Sequence, residues 1–504
     1  MSMKKMLRQC SQTLLLASAA LLVTATSPAA TLPNLPDLGD ESGALLSPLE
    51  ERRLGEDFMR EARAKLDILD DPELNGYLRA LGARLSRSTD TPTGFYFFIV
   101  NNPDINAFAV PGGFIGAHAG LLLAARSESE LAAVMAHETA HITQRHIPRM
   151  LTDSQRMSGP ALAGILAGIL LAASGLPGAE AAIAFSTAGL AQHQLNFTRS
   201  FEQEADRIGM NYLDAAGYDA RSMPAFFERL DSLTRVYETS LPEFLRTHPI
   251  TARRIAESRD HADHFPARVA QNELDFQLMQ ARLRVLSSKP EAALSHYRGM
   301  LDAAGKSPQQ AVHYGLALAH LAGRQFANAS DVASALIQQN PGQLNYTLLL
   351  ADIEIGRGNL QKGLELYAAQ VRKYPDVLAL SQRYADALIK NRRMQEARVV
   401  LDNLTRTQRR EPALFKMLAT AAGDSGQPLE AHRAYGEYYY LIGQPRAAVE
   451  QMELALRHAH GKFYYVSSIE ARIREIREES GLLFKRNEND PARPKTPPGR
   501  KISN

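Results

Sequence analysis

The sequence predicts a mainly α-helical protein with a small β-sheet in its first half and an array of paired helices in its second. Histidines four residues apart within a run of small apolar residues predict a buried helix with polar groups on one face. Alanines that recur every 34 residues predict stacked helix pairs. An aromatic and β-branched run over residues 95–100 predicts a strand upstream of both features.

The composition of the 504 residues is that of an ordinary globular protein, with 45% apolar and 22% charged residues. This excludes a collagen-like, a wholly disordered or a polytopic membrane protein. The 57 basic and 55 acidic residues nearly cancel, so no overall field attracts the chain to nucleic acid.

The N-terminal segment has the layout of a secretory signal peptide. Lys4 and Arg8 precede the apolar run Leu14–Val23, and small residues follow it, so residues 1–29 are predicted to be removed on export. An uncleaved anchor helix is the alternative, although a run of ten residues is short for a bilayer. Cys10 is the single cysteine of the sequence, so the mature chain would contain no disulfide.

Local signals place further elements in the first half. Ser47 and Glu50 have the spacing of a capping box and predict a helix start. Residues 106–118 contain two apolar runs around a Pro-Gly-Gly turn, which predicts a hairpin or sheet edge, and Ser127 opens another helix. The apolar stretch Ala161–Ala173 is too short to cross a membrane. We interpret it as part of a buried or surface-lying helical hairpin, with membrane or partner contact as the alternative.

The second half contains a 34-residue repeat. Ala317, Ala351 and Ala385 share this spacing, and each is followed after twelve residues by a second small residue. The second small residues are Ala329, Gly363 and Ala397, and Pro341 and Pro375 end two of the units. Small residues at two fixed places let paired helices approach closely, a pattern typical of tetratricopeptide repeats. Looser copies occur over residues 281–297 and 419–435.

The repeat defines the predicted domain organisation. Residues 265–484 are predicted to stack into an α-helical tetratricopeptide solenoid whose concave face binds peptides or proteins. An all-helical domain without true repeats is the alternative. The polar, proline-containing residues 485–504 are predicted to be a disordered tail.

The helix that begins at Ser127 contains the sequence His137-Glu138-Thr139-Ala140-His141. Residues four apart share a helix face, so both imidazoles can bind one metal ion. Zinc suits nitrogen and carboxylate ligands. Glu138 lies about 100° around the helix from His137, where it can accept a proton from a water molecule that the metal activates.

A third ligand is needed to make this motif convincing, and Glu202 can provide it. Asp206 lies four residues later on the same predicted helix and can brace one of the histidines. A solvated acidic helix face is the alternative for this pair. His146 lies five residues after His141, off the ligand face, and we interpret it as structural.

The His-Glu-x-x-His motif with the downstream Glu-x-x-x-Asp pair resembles the metallopeptidase family of the CAAX prenyl proteases and the heat-shock protease HtpX. The resemblance covers about residues 45–485. It implies a gluzincin-type zinc metallopeptidase domain over residues 30–264, with one zinc ion per subunit. The zinc ligands that it implies are His137, His141 and Glu202, with Glu138 as the general base and Asp206 behind the ligands.

The same resemblance implies roles for two further segments. One is an edge strand against which an extended substrate can pair, formed by Asn106, Ala107, Phe108, Gly112 and Gly113. The other is the loop at His248, whose imidazole would act as a regulatory fourth ligand that closes the site. An ordinary loop histidine before Pro249 is the alternative.

An exported member of this family with tetratricopeptide repeats implies a zinc metalloendopeptidase of the periplasm. It would be chaperone-like, promoting assembly of outer-membrane β-barrel proteins and degrading misassembled ones. Its expected partners are stalled outer-membrane proteins, the β-barrel assembly machinery and the lipopolysaccharide translocon, and no nucleic acid. The alternative is a zinc-containing holdase or scaffold with little proteolytic activity, which has no need of a general base at Glu138.

Overall fold

The structure is a computed structural model that describes residues 46–89, 91, 94–153, 159–174, 191–236, 242–269, 273–304 and 309–480. The predicted signal peptide and the predicted disordered tail lie outside these residues. The described residues belong to one compact unit. Its described part is mostly helical with a three-stranded sheet, so the predicted fold class is confirmed.

Two helices open the described chain, α1 (Pro48–Lys65) and α2 (Pro72–Ser86). The capping box predicted at the start of α1 is present. The Glu50 amide donates to the Ser47 hydroxyl, and the Ser47 amide donates to the Glu50 carboxylate at 2.8 Å. The Asp71 carboxylate accepts from the Leu74 amide at 3.0 Å and caps α2 in the same way.

The sheet contains β1 (Tyr96–Val100), β2 (Ala107–Val110) and β3 (Phe114–His118) in the order β1-β3-β2. β1 and β3 are parallel, whereas β2 and β3 form the predicted antiparallel hairpin. β2 is therefore the edge strand on one side of the sheet.

The turn of this hairpin requires its glycines. Gly112 and Gly113 have φ angles of 84° and 90°, in the region that favours glycine. A Cβ atom would lie 2.5 Å from the Glu51 carbonyl oxygen at the first position and 2.2 Å from the Gly94 carbonyl oxygen at the second. The turn thus packs tightly against the start of α1.

The remaining helices of the first half include one that is almost entirely buried, over Glu128–Thr143. They are α3 (Ala119–Ala124), α4 (Glu128–Thr143), α5 (His146–Asp153), α6 (Gly159–Ser174), α7 (Ala191–Ala215), α8 (Ser222–Val236), α9 (Glu243–Thr247) and α10 (Ala252–Ala262). α4 packs against α2, α7, α8 and the sheet. The Ser127 hydroxyl accepts from the Glu130 amide and caps α4, as predicted.

The apolar stretch predicted to be helical forms α6. Its C-terminal half packs against β2 and α1, where Leu170 and Ala173 are buried. Within the described residues, no helix combines the length and the hydropathy needed to cross a membrane.

The second half consists of helices packed against their chain neighbours, here called the helical array. Its members are α11 (Glu273–Leu286), α12 (Pro290–Ala304), α13 (Gln310–Ala322), α14 (Phe326–Gln339), α15 (Leu344–Gly356), α16 (Leu360–Lys373), α17 (Leu378–Lys390), α18 (Met394–Thr407), α19 (Pro412–Asp424), α20 (Pro428–Leu441), α21 (Pro445–Arg457) and α22 (Phe463–Glu479). Ala317, Ala351 and Ala385 lie on α13, α15 and α17 and are fully buried. The 34-residue spacing therefore corresponds to one helix pair.

The helical array packs back onto α1 and α2. The buried Glu73 carboxylate on α2 pairs with Arg282 of α11, at 3.1 Å, and with Arg383 of α17. Arg79 pairs with Glu411 at 2.9 Å. Part of the surface of the array is thus occupied by the chain's own N-terminal helices. The domain limits at residues 29, 264 and 484 stay predictions.

Candidate metal centre

Four side chains from three segments converge beside α4. His137 and His141 come from α4, Glu202 from α7, and His248 directly follows α9. Each offers one nitrogen or carboxylate oxygen, and these four atoms lie within 4.8 Å of one another. The packing of α4 against α7 brings Glu202 to the two histidines despite their separation in sequence.

The spacing of the donor atoms fits a zinc ion. His137 Nε2 and His141 Nε2 are 3.0 Å apart. The Glu202 carboxylate has one oxygen 3.3 Å from His141 Nε2 and the other 3.4 Å from His137 Nε2. Tetrahedral ligands at zinc bond lengths lie about 3.3 Å from one another. Two imidazoles and one carboxylate in this arrangement could therefore hold zinc.

Glu138 lies beside this donor set rather than within it. Its carboxylate is 1% exposed, and Oε1 is 3.4 Å from His248 Nε2. Within the described residues this oxygen has no hydrogen-bond partner. Burial raises the pKa of Glu138, which makes its carboxylate a better proton acceptor than an exposed one. The position suits a general base.

A carboxylate and a buried arginine support His137. Asp206 Oδ1 is 2.9 Å from His137 Nδ1, the contact that the predicted bracing role requires. Arg254 donates to Asp206 Oδ2 at 2.7 Å and lies 2.8 Å from a Glu202 oxygen. Burial alone would raise the pKa of Asp206, but Arg254 and His137 hold it below its usual value. Both carboxylates thus stay ionised.

Sequence reasoning did not find Arg254. It follows Arg253 directly, and no local pattern distinguishes the two residues. The exposed fraction of the side chain is 80% for Arg253 and 5% for Arg254. The difference arises from the packing of α10 against α7, which a linear sequence does not display.

His248 lies against the donor atoms. Its Nδ1 is 3.0 Å from Glu202 Oε1 and 3.4 Å from His137 Nε2. The Phe244 amide donates to the carbonyl of Ile105 at 3.1 Å, which ties α9 to the residue pair before β2. The segment that positions His248 is thus hydrogen-bonded to the chain just before the edge strand.

The predicted substrate-binding segment divides into two parts. The His118 amide donates to the Asn106 carbonyl at 2.9 Å, so alternate residues of β2 face β3. The backbone groups of Ala107 and Ala109 consequently point away from the sheet, and Phe108 bonds towards β3. Gly112 and Gly113 lie in the turn described above and not in the strand.

A cleft of 440 Å³ joins β2 to the metal centre. Its polar lining residues include Asn106, Glu138 and Glu202, and apolar residues of β2, α5 and α6 form much of the remaining wall. Asn106 is 1% exposed, and both polar atoms of its side chain lack hydrogen-bond partners within the described residues. An unpaired buried amide that lines a cleft can bond to a ligand there.

His146 lies outside the donor set, as expected, but it contacts His141 directly. His146 Nδ1 is 2.9 Å from His141 Nδ1, although five residues separate them. Helical geometry does not apply across this pair, because α4 ends at Thr143 and a new helix begins at His146.

Comparisons with known proteins agree with this geometry. The model of the family described as Peptidase family M48 matches residues 72–262, which include the whole of α4 and α7. The beta-barrel assembly-enhancing protease of Escherichia coli is 32% identical over 450 residues, which cover 88% of this chain and 91% of that protein.

Two further relatives extend the comparison. The putative beta-barrel assembly-enhancing protease of Vibrio cholerae is 36% identical over 420 residues, covering 82% of this chain and 86% of the relative. The mitochondrial metalloendopeptidase OMA1 of Arabidopsis thaliana is 30% identical over 225 residues, covering 42% of this chain and 41% of the relative. With such identity across nearly its full length, the chain belongs to the beta-barrel assembly-enhancing proteases, metalloendopeptidases of peptidase family M48.

Proposed function

We propose that this chain is a zinc-dependent endopeptidase of the periplasm that acts on outer-membrane β-barrel proteins. It promotes the assembly of these proteins, in a chaperone-like role, and degrades those that stall. The observation that carries the proposal is the convergence of His137, His141 and Glu202 beside the buried Glu138. The names of its relatives support the substrate class.

His137, His141 and Glu202 would hold the metal, with Asp206 and Arg254 fixing their orientation. A bound zinc ion supplies Lewis acidity for the attacking water and the scissile carbonyl. Glu138 accepts a proton from the water at its free Oε1 and returns it to the leaving amine. Its raised pKa favours both steps, because a group with a pKa nearer neutrality accepts and releases protons readily.

An extended substrate would bind along β2. Ala107 and Ala109 direct their backbone donors and acceptors away from β3, so a substrate segment can add to the sheet as a further strand. The Asn106 amide, which is buried and lines the cleft, would bond to the substrate backbone near the scissile bond. Unfolded β-barrel segments favour extended conformations and suit this mode.

His248 would regulate access. In the arrangement described, its imidazole lies against the donor set and beside the general base, where substrate and water must enter. We infer that it is a fourth ligand in the resting state. Because α9 is bonded to Ile105, displacement of this segment would open the metal centre and the edge strand together.

The helical array would bind partners. The 34-residue spacing supports tetratricopeptide repeats over residues 265–484. Its proposed partners are stalled outer-membrane proteins, the β-barrel assembly machinery and the lipopolysaccharide translocon. Residues 1–29 would direct the chain to the periplasm as a cleavable signal peptide.

Cleavage of an unfolded outer-membrane β-barrel protein by the full-length chain tests this proposal. Glu138→Gln is expected to lower kcat by about 10²–10⁴-fold at unchanged zinc content, because the proton acceptor is lost. Glu130→Gln is the matched control, since it makes the same change at another buried glutamate of α4. Equal cleavage by both variants would contradict the proposal. Zinc binding without cleavage by the wild type would favour the holdase.

A second variant tests the role of His248. His248→Ala is expected to cleave faster than the wild type at equal zinc content, because the entrance to the centre is cleared. The measurement is the initial rate in the same assay, with zinc determined in each sample. A slower rate at equal zinc content would show that His248 assists the reaction and does not close the site.

A further inference from the structure

We propose that His146 is a positioning residue that fixes the orientation of the His141 imidazole through a hydrogen-bonded chain ending at Glu204. The inference rests on the proposed metal centre and adds to it a second support, independent of Asp206. His146 is 3% exposed, and it is not one of the four side chains that form the donor set.

The contacts form a continuous chain. His141 Nδ1 is 2.9 Å from His146 Nδ1, and His146 Nε2 is 3.3 Å from Glu204 Oε2. Arg149 Nη1 donates to the same Glu204 oxygen at 2.9 Å. Each member is therefore held by the next, from the metal ligand outwards to an ion pair.

The chain has a single consistent arrangement of protons when His141 binds metal. Its Nε2 faces the donor set and must present a lone pair, so its proton is on Nδ1. His146 Nδ1 must then accept this proton's hydrogen bond, which places the proton of His146 on Nε2. That nitrogen donates to the Glu204 carboxylate. In this arrangement each hydrogen bond has one donor and one acceptor, and all of them run from His141 towards Glu204.

The backbone is shaped to bring His146 to this place. Arg145, between α4 and α5, has a φ angle of 53°, which is uncommon for a residue other than glycine. Its guanidinium is 2.9 Å from Glu51 at Nε and donates to the Leu46 carbonyl at 2.6 Å. Contacts with the start of α1 thus hold a reversal of the chain that returns His146 towards His141.

The ring of His146 is also fixed in its plane. Phe201, on the turn of α7 that precedes Glu202, stacks on it at 4.3 Å between centroids and 18° between planes. A ring that is stacked on one face and bonded at both nitrogens has little freedom to rotate. This rigidity passes to His141, because the direction of its Nδ1–H is set by the position of the acceptor.

The two supports of the histidine pair differ in charge. His137 contacts the Asp206 carboxylate directly, whereas His141 contacts a neutral ring with the Glu204 carboxylate one residue further away. Loss of an outer partner of a metal ligand lowers metal affinity about 10–100-fold. We expect His146 to fall within this range.

Zinc affinity of the full-length chain, measured by competition with a chelator, tests the inference. His146→Phe keeps the stacked ring and removes both nitrogens, and it is expected to weaken zinc binding by about 10–100-fold. His146→Asn restores an acceptor near the former Nδ1 and is expected to recover part of the loss. His320→Phe is the matched control, because His320 is a buried histidine of the helical array. The ligand-field spectrum of the cobalt-substituted protein is expected to change in His146→Phe and to stay unchanged in His320→Phe.

The outcomes separate this inference from the proposed function. A wild type without zinc affinity would overturn the metal centre itself. A wild type that binds zinc, with His146→Phe binding it equally and giving an unchanged cobalt spectrum, would overturn only the role of His146. If His146→Phe does not fold, Glu204→Gln replaces it. This variant weakens the last acceptor of the chain and is expected to reduce zinc affinity a few-fold, and unchanged affinity would contradict the chain.

Discussion

The metal centre and the interior of the helical array are both buried, but they contain opposite kinds of side chain. In the array, Ala317, Ala351 and Ala385 are fully buried at one position of successive helix pairs. In the centre, His137 and Glu202 are also buried, with exposed fractions of 0% and 4%, and they carry polar or charged groups. Burial of alanine costs little, whereas burial of a charge is unfavourable unless that charge is paired.

This difference determines how each region depends on the rest of the chain. Each helix pair of the array is stabilised mainly by its neighbours, through small residues that permit close approach. The centre needs α4, α7, α9 and α10 at once, because Arg254 from the last of these neutralises the Glu202 and Asp206 carboxylates. A change in the centre should therefore affect chemistry, and a change in the array should affect stability.

The contact between the array and α2 is an exception to this difference, because it contains buried charged groups in the array as well. Glu73→Ala removes the carboxylate between Arg282 and Arg383 and is expected to lower the free energy of unfolding by about 3 kcal/mol, since two buried guanidinium groups lose a partner. Denaturant unfolding measures it. Glu61→Ala, on the exposed face of α1, is the control and should change stability by under about 0.5 kcal/mol. Equal effects would mean that this contact contributes no stability.

The array itself is tested by two alanines on one helix. Ala329→Leu on α14 inserts a larger side chain between paired helices and is expected to destabilise by about 1–3 kcal/mol. Ala327→Leu makes the same change on the exposed side of α14 and should be nearly neutral. Thermal unfolding followed by circular dichroism compares them. A neutral Ala329→Leu would contradict close packing at the repeat position.

The half of the chain that contains the metal centre is also expected to lose stability in acid. His118, at the end of β3, is fully buried, and burial lowers its pKa to about 4 despite the nearby Asp104. The unfolded chain binds a proton there near pH 6.5, so stability from this group is present above that pH and is lost as the pH falls towards 4. Between pH 7 and pH 5 the loss is about 1–2 kcal/mol. His118→Gln should remove this part of the pH dependence, and an unchanged slope of unfolding free energy against pH would contradict the burial.

Local signals were sufficient for much of the fold. The Ser47 capping box and the Pro-Gly-Gly hairpin each depend on residues close together in sequence, and the structure contains both. The 34-residue spacing depends on a repeated pattern, and in the structure it corresponds to one helix pair. The packing of the array onto α1 and α2 was not foreseen, because the charges of Glu73, Arg282 and Arg383 resemble ordinary surface residues until the fold brings them together.

The same distinction between local sequence and long-range packing applies to the candidate site. Spacing on single helices identified the residue pairs His137 with His141 and Glu202 with Asp206, and the structure brings both pairs to one place. The position of His146 was interpreted from an uninterrupted helix, but the helix ends before it. The left-handed backbone at Arg145 then reverses the chain. Residue spacing along a helix cannot predict such a turn.

The measurement that tests this account most directly is zinc stoichiometry with X-ray absorption at the zinc edge, on the purified full-length chain and on Glu202→Gln. We expect one zinc ion per chain, bound by imidazole nitrogens and carboxylate oxygen, and a roughly 100-fold or greater loss of affinity in the variant. A chain without zinc, or a variant that binds zinc as the wild type does, would contradict the proposed centre.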